Sequence, residues 1–452
     1  MTRQTTWRDA VVGVVALGIV AIMASCSSDS LSPSQKFTSG LSKVNHIVVI
    51  YMENHSFDNE YGEFAGANNL SDATTAAVQA ESSGTKYTTL PQVAGSPFPT
   101  TLANAPFAIE DYVAITVPPP DLVHRFYQEQ SQIDGGKMDH FAEVSTAEGQ
   151  VMGYYHTADL PLDSLAQHYT LCDDFFHSAF GGSFLNHQWL IAAASPTFPN
   201  APVGDVAVVA ANGSLVTDGF VTPDGYAVNT SYTVNTPHPA GTNAADLVPN
   251  QTNPTIGDRL SAKNITWAWY SGGWTNALAG NPDPLFQFHH QPFAYYANYA
   301  DGTPAKATHL LDETAFFASA AAGTLPAVSF VKPLGTVNEH PGYAAVYASE
   351  VHADSLVQAV LTGPNGKDAV VIITYDENGG EWDHVGPPVI DRWGPGTRVP
   401  ALIIGPFARK GFIDHTPYET VSILALIEKR FGLAALSTRD ANASPLLNAF
   451  TF

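Results

Sequence analysis

A three-layer α/β/α sandwich with a mostly parallel central sheet is the fold class that the sequence predicts. Continuous apolar runs are typical of strands buried on both faces of such a sheet. Three runs fit this description: HIVVIYM at 46–52, AVVIITY at 369–375 and VPALIIG at 399–405. A weaker run, AVSFV at 327–331, is a fourth candidate. Helical patterns lie between the runs, and strands that alternate with helices favour the sandwich.

The clearest helical pattern is TPYETVSILALIEKRFG, which follows the last apolar run. We expect Thr416 to cap this helix, with Pro417 at its first position and Glu419 completing a capping box. Apolar residues then recur on one face, and Gly432 is expected to end the helix.

One domain is expected over residues 43–452, with an insertion at about 195–255. The insertion is rich in Pro, Asn, Thr and Gly and contains only short strand-like pieces such as VAVVAA. We interpret it as a rim or lid on the sandwich.

The first 26 residues have the pattern of a lipoprotein signal peptide. Two arginines precede VVGVVALGIVAIMA at 11–24, a run that is too short to span a bilayer comfortably. The run ends in MASC, which resembles a bacterial lipobox with Cys26 as the lipidated residue. A plain signal peptide that is cleaved near Ala24 or Ser25 is the alternative.

Residues 27–42 are expected to form a flexible tether behind the lipid anchor. The protein is then exported, as a periplasmic or outer-membrane lipoprotein or in secreted form, and contacts the membrane only through Cys26. The second cysteine, Cys172, has no evident intramolecular partner, so we expect no stabilising disulfide.

The negative net charge excludes partners that are themselves strongly negative. The 452 residues include 19 Lys and Arg against 42 Asp and Glu, a net charge of −23. Such a surface repels nucleic acid and anionic lipid headgroups. The apolar content of 45% nevertheless indicates a folded chain rather than a disordered acidic one.

Acids and amides follow two of the predicted strands. Glu53 and Asn54 come after IVVIYM, and Asp376 and Glu377 come after VVIITY. Ligands bind beyond the carboxyl ends of strands in open α/β sheets, and an all-oxygen set suits a hard divalent cation. We expect Ca²⁺, Mg²⁺ or Mn²⁺ rather than Zn²⁺, which usually binds imidazole or thiolate. Acids at these positions also occur as helix caps and turn residues.

Five histidines lie in segments that suggest chemistry. They are His124, His289, His290, His340 and His384. Each alone is compatible with a structural role. As a group, imidazoles donate hydrogen bonds to phosphoryl oxygens and protonate leaving groups.

Ser183 in FHSAFGGSFLNHQW is the candidate nucleophile. Two glycines before it permit a close backbone approach, and a serine there can open a helix whose amides face an anion. A simple Gly-Gly-Ser turn is the alternative. The Gly-x-Ser-x-Gly elbow, the Walker loop and the His-Glu-x-x-His zinc spacing are absent from the sequence.

Seven segments resemble, in order, the motifs of the bacterial acid phosphatase and phospholipase C family of phosphoesterases. They are NHIVVIYMENHSFDNEYG, GGKMDHF, CDDFFHSAFGGSFLNHQ, FHHQPFAYY, NEHPGY, TYDENGGEWDHVGPP and GPGTRVPALIIGPFARKGFIDH. The series spans about residues 45–435. This resemblance implies an alkaline-phosphatase-like fold with an active site at the strand ends.

Position by position, the resemblance implies that Glu53, Asn54, Asp376 and Glu377 are the metal ligands. It also implies that Ser183 attacks phosphorus and that water then hydrolyses a phosphoserine. Asn54 is expected to contact a phosphoryl oxygen as well.

The same resemblance implies that His124, His340 and one residue of the His289–His290 pair hold the phosphoryl oxygens or act as an acid. The local motif leaves this pair open, and we favour His290. His384 matches a family histidine whose role, phosphate contact or indirect support, stays open. Imidazolium groups near pH 6.5 predict an acid pH optimum.

Three functions compete. An exported metal-dependent acid phosphatase acting on small phosphate monoesters is the leading hypothesis. A phospholipase C acting on phosphatidylcholine-like diesters is the alternative, for which the aromatic run from Phe286 to Tyr296 offers an apolar entrance. We favour core packing for these aromatic side chains. A catalytically inactive surface lipoprotein is the third hypothesis.

Overall fold

The computed structural model describes residues 40–73, 78–158 and 160–452. The predicted signal peptide, Cys26 and most of the tether lie outside these ranges. Within the ranges, no helix is both long enough and apolar enough to cross a membrane. Cys172 is buried and has no disulfide partner among the described residues.

The centre of the fold is an eight-stranded sheet. In chain order its strands are β1 (His46–Met52), β2 (Thr170–Cys172), β3 (Trp267–Ser271), β4 (Leu310–Asp312), β5 (Val328–Lys332), β6 (Ala369–Tyr375), β7 (Ala401–Ile404) and β8 (Phe412–Asp414). The spatial order is β4-β3-β5-β1-β6-β7-β2-β8. The two most apolar strands, β1 and β6, therefore lie side by side in the middle.

The predicted bounds of β1 and β6 are confirmed residue for residue, because both strands are buried on both faces. The direction expected for the third run is wrong. Strand β7 pairs antiparallel with both β6 and β2, whereas the other pairs of the sheet are parallel. The chain stays at the carboxyl edge between β6 and β7, with no helix to return it to the other edge. Apolar runs indicate that a strand is buried on two faces, but they do not indicate whether it runs parallel or antiparallel to its neighbours.

Twelve α-helices surround the sheet in the described ranges. They are α1 (Phe57–Tyr61), α2 (Phe126–Ile133), α3 (Phe141–Val144), α4 (Pro161–His168), α5 (Ser183–Ala192), α6 (Ile256–Ala262), α7 (Trp274–Leu278), α8 (Pro304–His309), α9 (Glu313–Ala322), α10 (Val346–Thr362), α11 (Thr420–Phe431) and α12 (Thr438–Asn442). Helix α5 packs against α6 and α11, and α10 packs against α4 and α9. These two groups form separate layers.

Two tyrosines show that the layers cover opposite faces. Tyr51 of β1 pairs in register with Thr374, so Tyr375 points to the other side of the sheet. The Tyr51 hydroxyl donates to the carbonyl of Asn186 in α5, at 3.4 Å. The Tyr375 hydroxyl donates to Glu339, in the connection from β5 to α10, at 2.7 Å. The three-layer α/β/α prediction is confirmed.

Helix α11 begins later than predicted. Tyr418 and Glu419 pair with Phe175 and Phe176 as a short parallel bridge, so these residues cannot join the helix. Glu419 is the N-cap, and its amide donates to the Ser422 hydroxyl in a capping box. The expected end at Gly432 is confirmed, with φ of +63°.

Residues 195–255 contribute no strand to the central sheet. They form two small strand pairs of their own: Val208–Val209 with Leu215–Thr217, and Tyr232–Thr233 with Leu247–Val248. Asp218 of this segment forms an ion pair with Arg125, and Asn229 accepts a hydrogen bond from the Phe126 amide. The segment therefore lies beside the loop that carries His124. That it acts as a rim or lid stays a prediction.

Gly379 allows the chain after β6 to pass close to Asn54. Its φ is +65°, and a Cβ there would lie 2.5 Å from the Asn54 carbonyl oxygen. Asn54 itself has φ of +62°, a conformation that asparagine tolerates better than most residues. The two strand ends thus constrain each other.

We predict that Gly379→Ala lowers the free energy of unfolding by about 3 kcal/mol, because it adds left-handed strain and a backbone clash. Gly95→Ala is the matched control, since Gly95 has φ of +85° and no atom within 4 Å of the added carbon. Its expected cost is about 1 kcal/mol. Equal losses for the two variants in urea unfolding would contradict the contact with Asn54.

Candidate active site

Two acidic strand ends meet at the carboxyl edge of the sheet. Met52 and Tyr375, the last residues of β1 and β6, are register partners. Glu53 and Asp376 follow directly and are both fully buried. The in-register pairing therefore brings together the two acid-and-amide groups that the sequence separates by more than 300 residues.

Ser183 lies within reach of this group. Its Oγ is 3.3 Å from Glu53 Oε2, 3.5 Å from Asn54 Oδ1 and 3.5 Å from Glu377 Oε1. Ser183 is the first residue of α5, so its hydroxyl stands at the positive end of a helix dipole. One hydroxyl is thus surrounded by oxygens from both strand ends.

The turn before Ser183 is held from both sides. Gly181 has φ of +82°, and a Cβ there would lie 2.4 Å from the Phe126 amide nitrogen. The Gly181 amide donates to the Glu129 carboxylate. The Asn186 side chain donates to the carbonyls of Ala179 and Gly181, at 2.9 and 3.1 Å. The close approach expected of the two glycines is confirmed.

Three of the predicted histidines line the same site. His290 Nε2 lies 2.6 Å from Glu53 Oε1, and His340 Nε2 lies 3.9 Å from Glu53 Oε2. His124 Nε2 lies 3.9 Å from Glu377 Oε1. Of the open pair, His290 makes the carboxylate contact, while the His289 ring packs edge-on against His290 at 4.6 Å.

His384 belongs to a different cluster. Its Nδ1 lies 2.6 Å from Asp58 Oδ2, and its Nε2 lies 2.9 Å from Asn68 Oδ1. Arg398 is buried in the same cluster and bonds to Asp58 and Asp383. The described contacts of His384 are therefore with this cluster and not with Ser183 or the oxygens around it. Arg398 joins the segment of His384 to Asp58, which lies 340 residues away in the sequence.

Two further residues of the site escaped the sequence analysis. Lys332 Nζ lies 2.6 Å from Glu53 Oε1 and 3.7 Å from Asp376 Oδ2. His187 Nδ1 lies 2.7 Å from the Ser183 carbonyl and 3.6 Å from Asp376 Oδ2. The sequence contained a signal for both residues. Lys332 lies at the end of a buried strand, where the ligand-binding edge of the sheet is expected. His187 lies one helical turn after Ser183 and therefore on the same face of α5.

The aromatic run at 286–296 forms part of the core. Phe286, Phe293, Tyr295 and Tyr296 are buried, and Phe288 is partly buried. The preference for core packing over an apolar entrance is confirmed.

The pKa values of the site carboxylates are shifted in opposite directions. Burial and the neighbouring Glu53 charge raise the pKa of Asp376 to about 7, and burial and Asp376 raise the pKa of Glu377 well above its usual range. Burial acts the same way on Glu53, but His290 and Lys332 outweigh it and hold the pKa of Glu53 well below its usual range. The site carries more negative charge than its own cations neutralise.

Burial also makes the imidazoles poor bases. It lowers the pKa of His340 to about 4, and it lowers the pKa of His290 and, more strongly, of His289 and His187. Burial therefore disfavours the protonated form of each of these rings. The expectation of imidazolium groups near pH 6.5 is wrong for His340.

The donor atoms fit a divalent cation. Asp376 Oδ2 is buried and has no hydrogen-bond partner, and the carboxylates around it lack sufficient positive charge. The predicted oxygen set from both strand ends suits a hard cation. Glu53, His187 and His290 also place ligand atoms within 4.8 Å of one another. This mixed set would suit Zn²⁺ as well, and the preference for Ca²⁺, Mg²⁺ or Mn²⁺ stays a prediction.

Similarity to known proteins gives the class of enzyme, a hydrolase that acts on phosphate esters, and the family. Residues 44–434 match the Phosphoesterase family, and the chain belongs to it. It is 25% identical to phospholipase C B of Mycobacterium tuberculosis over 91% of this chain and 78% of that protein. It is 23% identical to the non-hemolytic phospholipase C of Pseudomonas aeruginosa over 93% of this chain and 59% of that protein.

Solved structures show a more distant likeness. A protein of the alkaline phosphatase superfamily from Vibrio parahaemolyticus aligns at 10% identity over 82% of this chain and 76% of that chain, with a TM-score of 0.37. The lipoteichoic acid synthase LtaP of Listeria monocytogenes aligns at 8% identity over 92% and 79%, with a TM-score of 0.36. Because both scores lie below 0.5, the fold class rests on the strand order itself.

We predict that the buried Glu129–His177 pair stabilises the turn before Ser183 most strongly between about pH 4.5 and 6.5. Burial opposes both charges, but mutual attraction lowers the pKa of Glu129 below 4.5 and raises that of His177 above 6.5. The Glu129 contribution is lost as pH falls through its lowered pKa. The His177 contribution is lost as pH rises through its raised pKa.

A double-mutant cycle of Glu129→Gln and His177→Gln measures this coupling. At pH 5.5 each single change is expected to lower the free energy of unfolding by about 3 kcal/mol. The coupling energy should shrink at pH 9, where His177 is less protonated. A coupling energy that is the same at both pH values would show that the pair is not ionic.

Proposed function

We propose that this protein is a phosphodiesterase of the phospholipase C type, with Ser183 as its nucleophile. The observation that carries the proposal is the Ser183 hydroxyl, which lies within 3.5 Å of oxygens from Glu53, Asn54 and Glu377. The relatives named phospholipase C favour a diester over the monoester that the sequence alone suggested. The acid phosphatase hypothesis therefore becomes the second candidate.

In this mechanism Ser183 Oγ attacks phosphorus and the bond to the leaving alcohol breaks. A phosphoryl group remains on Ser183, and water then hydrolyses it and regenerates the hydroxyl. A divalent cation on Glu53, Asn54, Asp376 and Glu377 would lower the pKa of the serine hydroxyl and offset the phosphoryl charge. The helix α5 amides point at the same place and favour the negative charge that develops there.

His124 and His340 can carry a proton from Ser183 to the leaving alcohol. Their rings stand edge to face with ring centroids 5.4 Å apart. His124 Nδ1 lies 2.7 Å from the Leu122 carbonyl and His340 Nδ1 lies 2.6 Å from the Pro341 carbonyl, so the N–H of each neutral ring is on Nδ1 and Nε2 faces the site. Nε2 of a neutral ring can accept the Ser183 proton and then donate it to the leaving alkoxide.

Lys332 supplies the fixed positive charge of the site. It is fully buried, and its Nζ also donates to the Met52 carbonyl at 3.0 Å. In this position it keeps Glu53 ionised and therefore able to bind a cation. It is a positioning residue, because Glu53 lies between it and Ser183.

A cavity in the 195–255 segment fits the headgroup of a choline-type diester. A small cavity of about 200 Å³ is lined by His124, Gly182 and Thr230. Thr230 also lines a neighbouring cavity of about 330 Å³, whose walls include aromatic side chains and two carboxylates: Phe198, Phe220, Tyr232, Asp205 and Asp246. Aromatic faces and carboxylates together bind quaternary ammonium groups.

The two carboxylates of this cavity would attract a cation. Burial and the neighbouring Asp246 charge raise the pKa of Asp205. In the described part of the chain, neither residue forms an ion pair with a lysine or arginine. A bound ammonium group would relieve their repulsion, which supports a cationic headgroup over a neutral one.

We predict that Ser183→Ala lowers turnover of p-nitrophenyl phosphorylcholine by at least about 10³-fold, because no other hydroxyl takes its place. Ser178→Ala is the control in the same loop, since the Ser178 hydroxyl bonds to Glu419 instead. Circular dichroism checks that both variants fold. Near-normal turnover by Ser183→Ala would exclude the nucleophile, and an inactive wild-type enzyme would revive the inactive-lipoprotein hypothesis.

We predict that Asp205→Asn with Asp246→Asn raises KM for p-nitrophenyl phosphorylcholine about tenfold, the loss of roughly 1.4 kcal/mol of attraction to the ammonium group. Turnover of p-nitrophenyl phosphate should not change. Asp224→Asn is the control, because Asp224 lies in the same segment but already pairs with Arg392. If wild-type enzyme prefers p-nitrophenyl phosphate, the acid phosphatase candidate replaces the diesterase.

A further inference from the structure

Three glutamates converge in the protein interior, away from Ser183. Glu60 comes from α1, Glu339 from the β5–α10 connection and Glu350 from α10. One carboxylate oxygen of each lies within 4.8 Å of the other two. All three side chains are at most 1% exposed. Three carboxylates in a dry interior repel one another strongly unless something positive lies between them.

Several polar atoms of this cluster have no partner. No donor stands in hydrogen-bond geometry to either carboxylate oxygen of Glu60 or to Oε1 of Glu339, although the Tyr375 hydroxyl and the Glu339 carboxyl are close enough to lower the pKa of Glu60. The Tyr61 hydroxyl, which is buried beside the cluster, is unpartnered too. Two other oxygens are bound by the protein: Tyr375 donates to Glu339 Oε2 at 2.7 Å, and the Leu162 amide donates to Glu350 Oε2 at 2.8 Å. The unpartnered oxygens are those left for a ligand.

The protein's own charges do not neutralise the cluster. His55 Nδ1 is the nearest basic atom, 3.8 Å from Glu60 Oε1, but it lies closer to a fourth buried carboxylate, Glu381 Oε2, at 3.3 Å. One imidazolium therefore faces four carboxylates. Within the described ranges, no lysine or arginine forms an ion pair with any of the four. Burial raises the pKa of Glu60, Glu339 and Glu350 accordingly.

The arrangement fits a calcium ion by size and by ligand chemistry. An ion at the centre of a triangle with sides of at most 4.8 Å lies within about 2.8 Å of each corner. Small side-chain shifts bring this to the roughly 2.3–2.6 Å of calcium–oxygen bonds. Carboxylates and a tyrosine hydroxyl are hard oxygen donors. Mg²⁺ would need shorter bonds, regular octahedral geometry and several retained waters, which a fully buried site does not favour.

We propose that Glu60, Glu339 and Glu350 bind a Ca²⁺ ion that stabilises the fold and is distinct from the cation proposed at Ser183. The cluster surrounds the Tyr375 hydroxyl, whereas α5 and Ser183 belong to the layer on the Tyr51 side of the sheet. Glu339 directly precedes His340, and its carbonyl lies 3.1 Å from His55 Nε2. The ion thus holds the connection from β5 to α10, which carries His340, from the side of the sheet opposite α5.

Elemental analysis and thermal unfolding of the whole chain test this site. Wild type, Glu350→Gln, Asp376→Asn and the double variant are saturated with Ca²⁺ and then dialysed. We predict that Asp376→Asn keeps one Ca²⁺ per chain, that Glu350→Gln loses it, and that the double variant holds none. Added Ca²⁺ should raise the Tm of Asp376→Asn by about 5 °C and leave the double variant unchanged.

Glu428→Gln is the matched control, because Glu428 is also a buried carboxylate with an unpartnered oxygen but lies in α11. It should retain the Ca²⁺ that Glu350→Gln loses. The proposal is overturned if Glu350→Gln binds as much Ca²⁺ as wild type, or if Asp376→Asn binds none and shows no Tm shift. In either case the three glutamates share protons instead. Loss of activity in Asp376→Asn bears only on the Ser183 site, so the two proposals fail separately.

Discussion

The in-register pairing of β1 with β6 is the constraint on which the rest of the structure depends. Because Met52 and Tyr375 are partners, the residues that follow them leave the sheet at the same height and on neighbouring strands. A slip by two residues would separate Glu53 from Asp376 by nearly 7 Å along the strands. Both strands are buried along almost their whole length, so the hydrophobic effect packs them side by side and indirectly brings the oxygens of Glu53 and Asp376 together.

That pairing concentrates carboxylates where water cannot reach them, and the fold places two basic groups beside them. Lys332 and His290 both lie 2.6 Å from the same oxygen of Glu53. They hold the pKa of Glu53 well below its usual range and leave Asp376 and Glu377 with raised pKa values. An uncompensated buried charge costs several kcal/mol. The cation that we propose for this site would offset that cost, and its binding would then be coupled to folding at this edge of the sheet.

The sequence predicted what depends on local pattern and missed what depends on long-range contact. Strands β1 and β6 were predictable because burial on both faces shows in every residue, and the acids after them follow from the strand ends. The direction of β7 and the place of His384 were not, because both depend on how residues 376–400 fold back. Arg398 meets Asp58 only in three dimensions. Lys332 was predictable in principle, because polar residues at the carboxyl ends of buried strands are candidates for the site, as Glu53 was.

Substrate choice must arise outside the strand ends. In the proposed mechanism, Ser183 and the surrounding oxygens would contact only the phosphoryl group, which monoesters and diesters share. What differs is the second substituent on phosphorus, and any discrimination needs side chains that reach it. The His124 loop and the 195–255 segment border the cavity beside Gly182, and they are joined by the Arg125–Asp218 ion pair. Substitutions in that segment could alter specificity without disturbing the sheet pairing beside the proposed nucleophile, because the segment contributes no strand to the sheet.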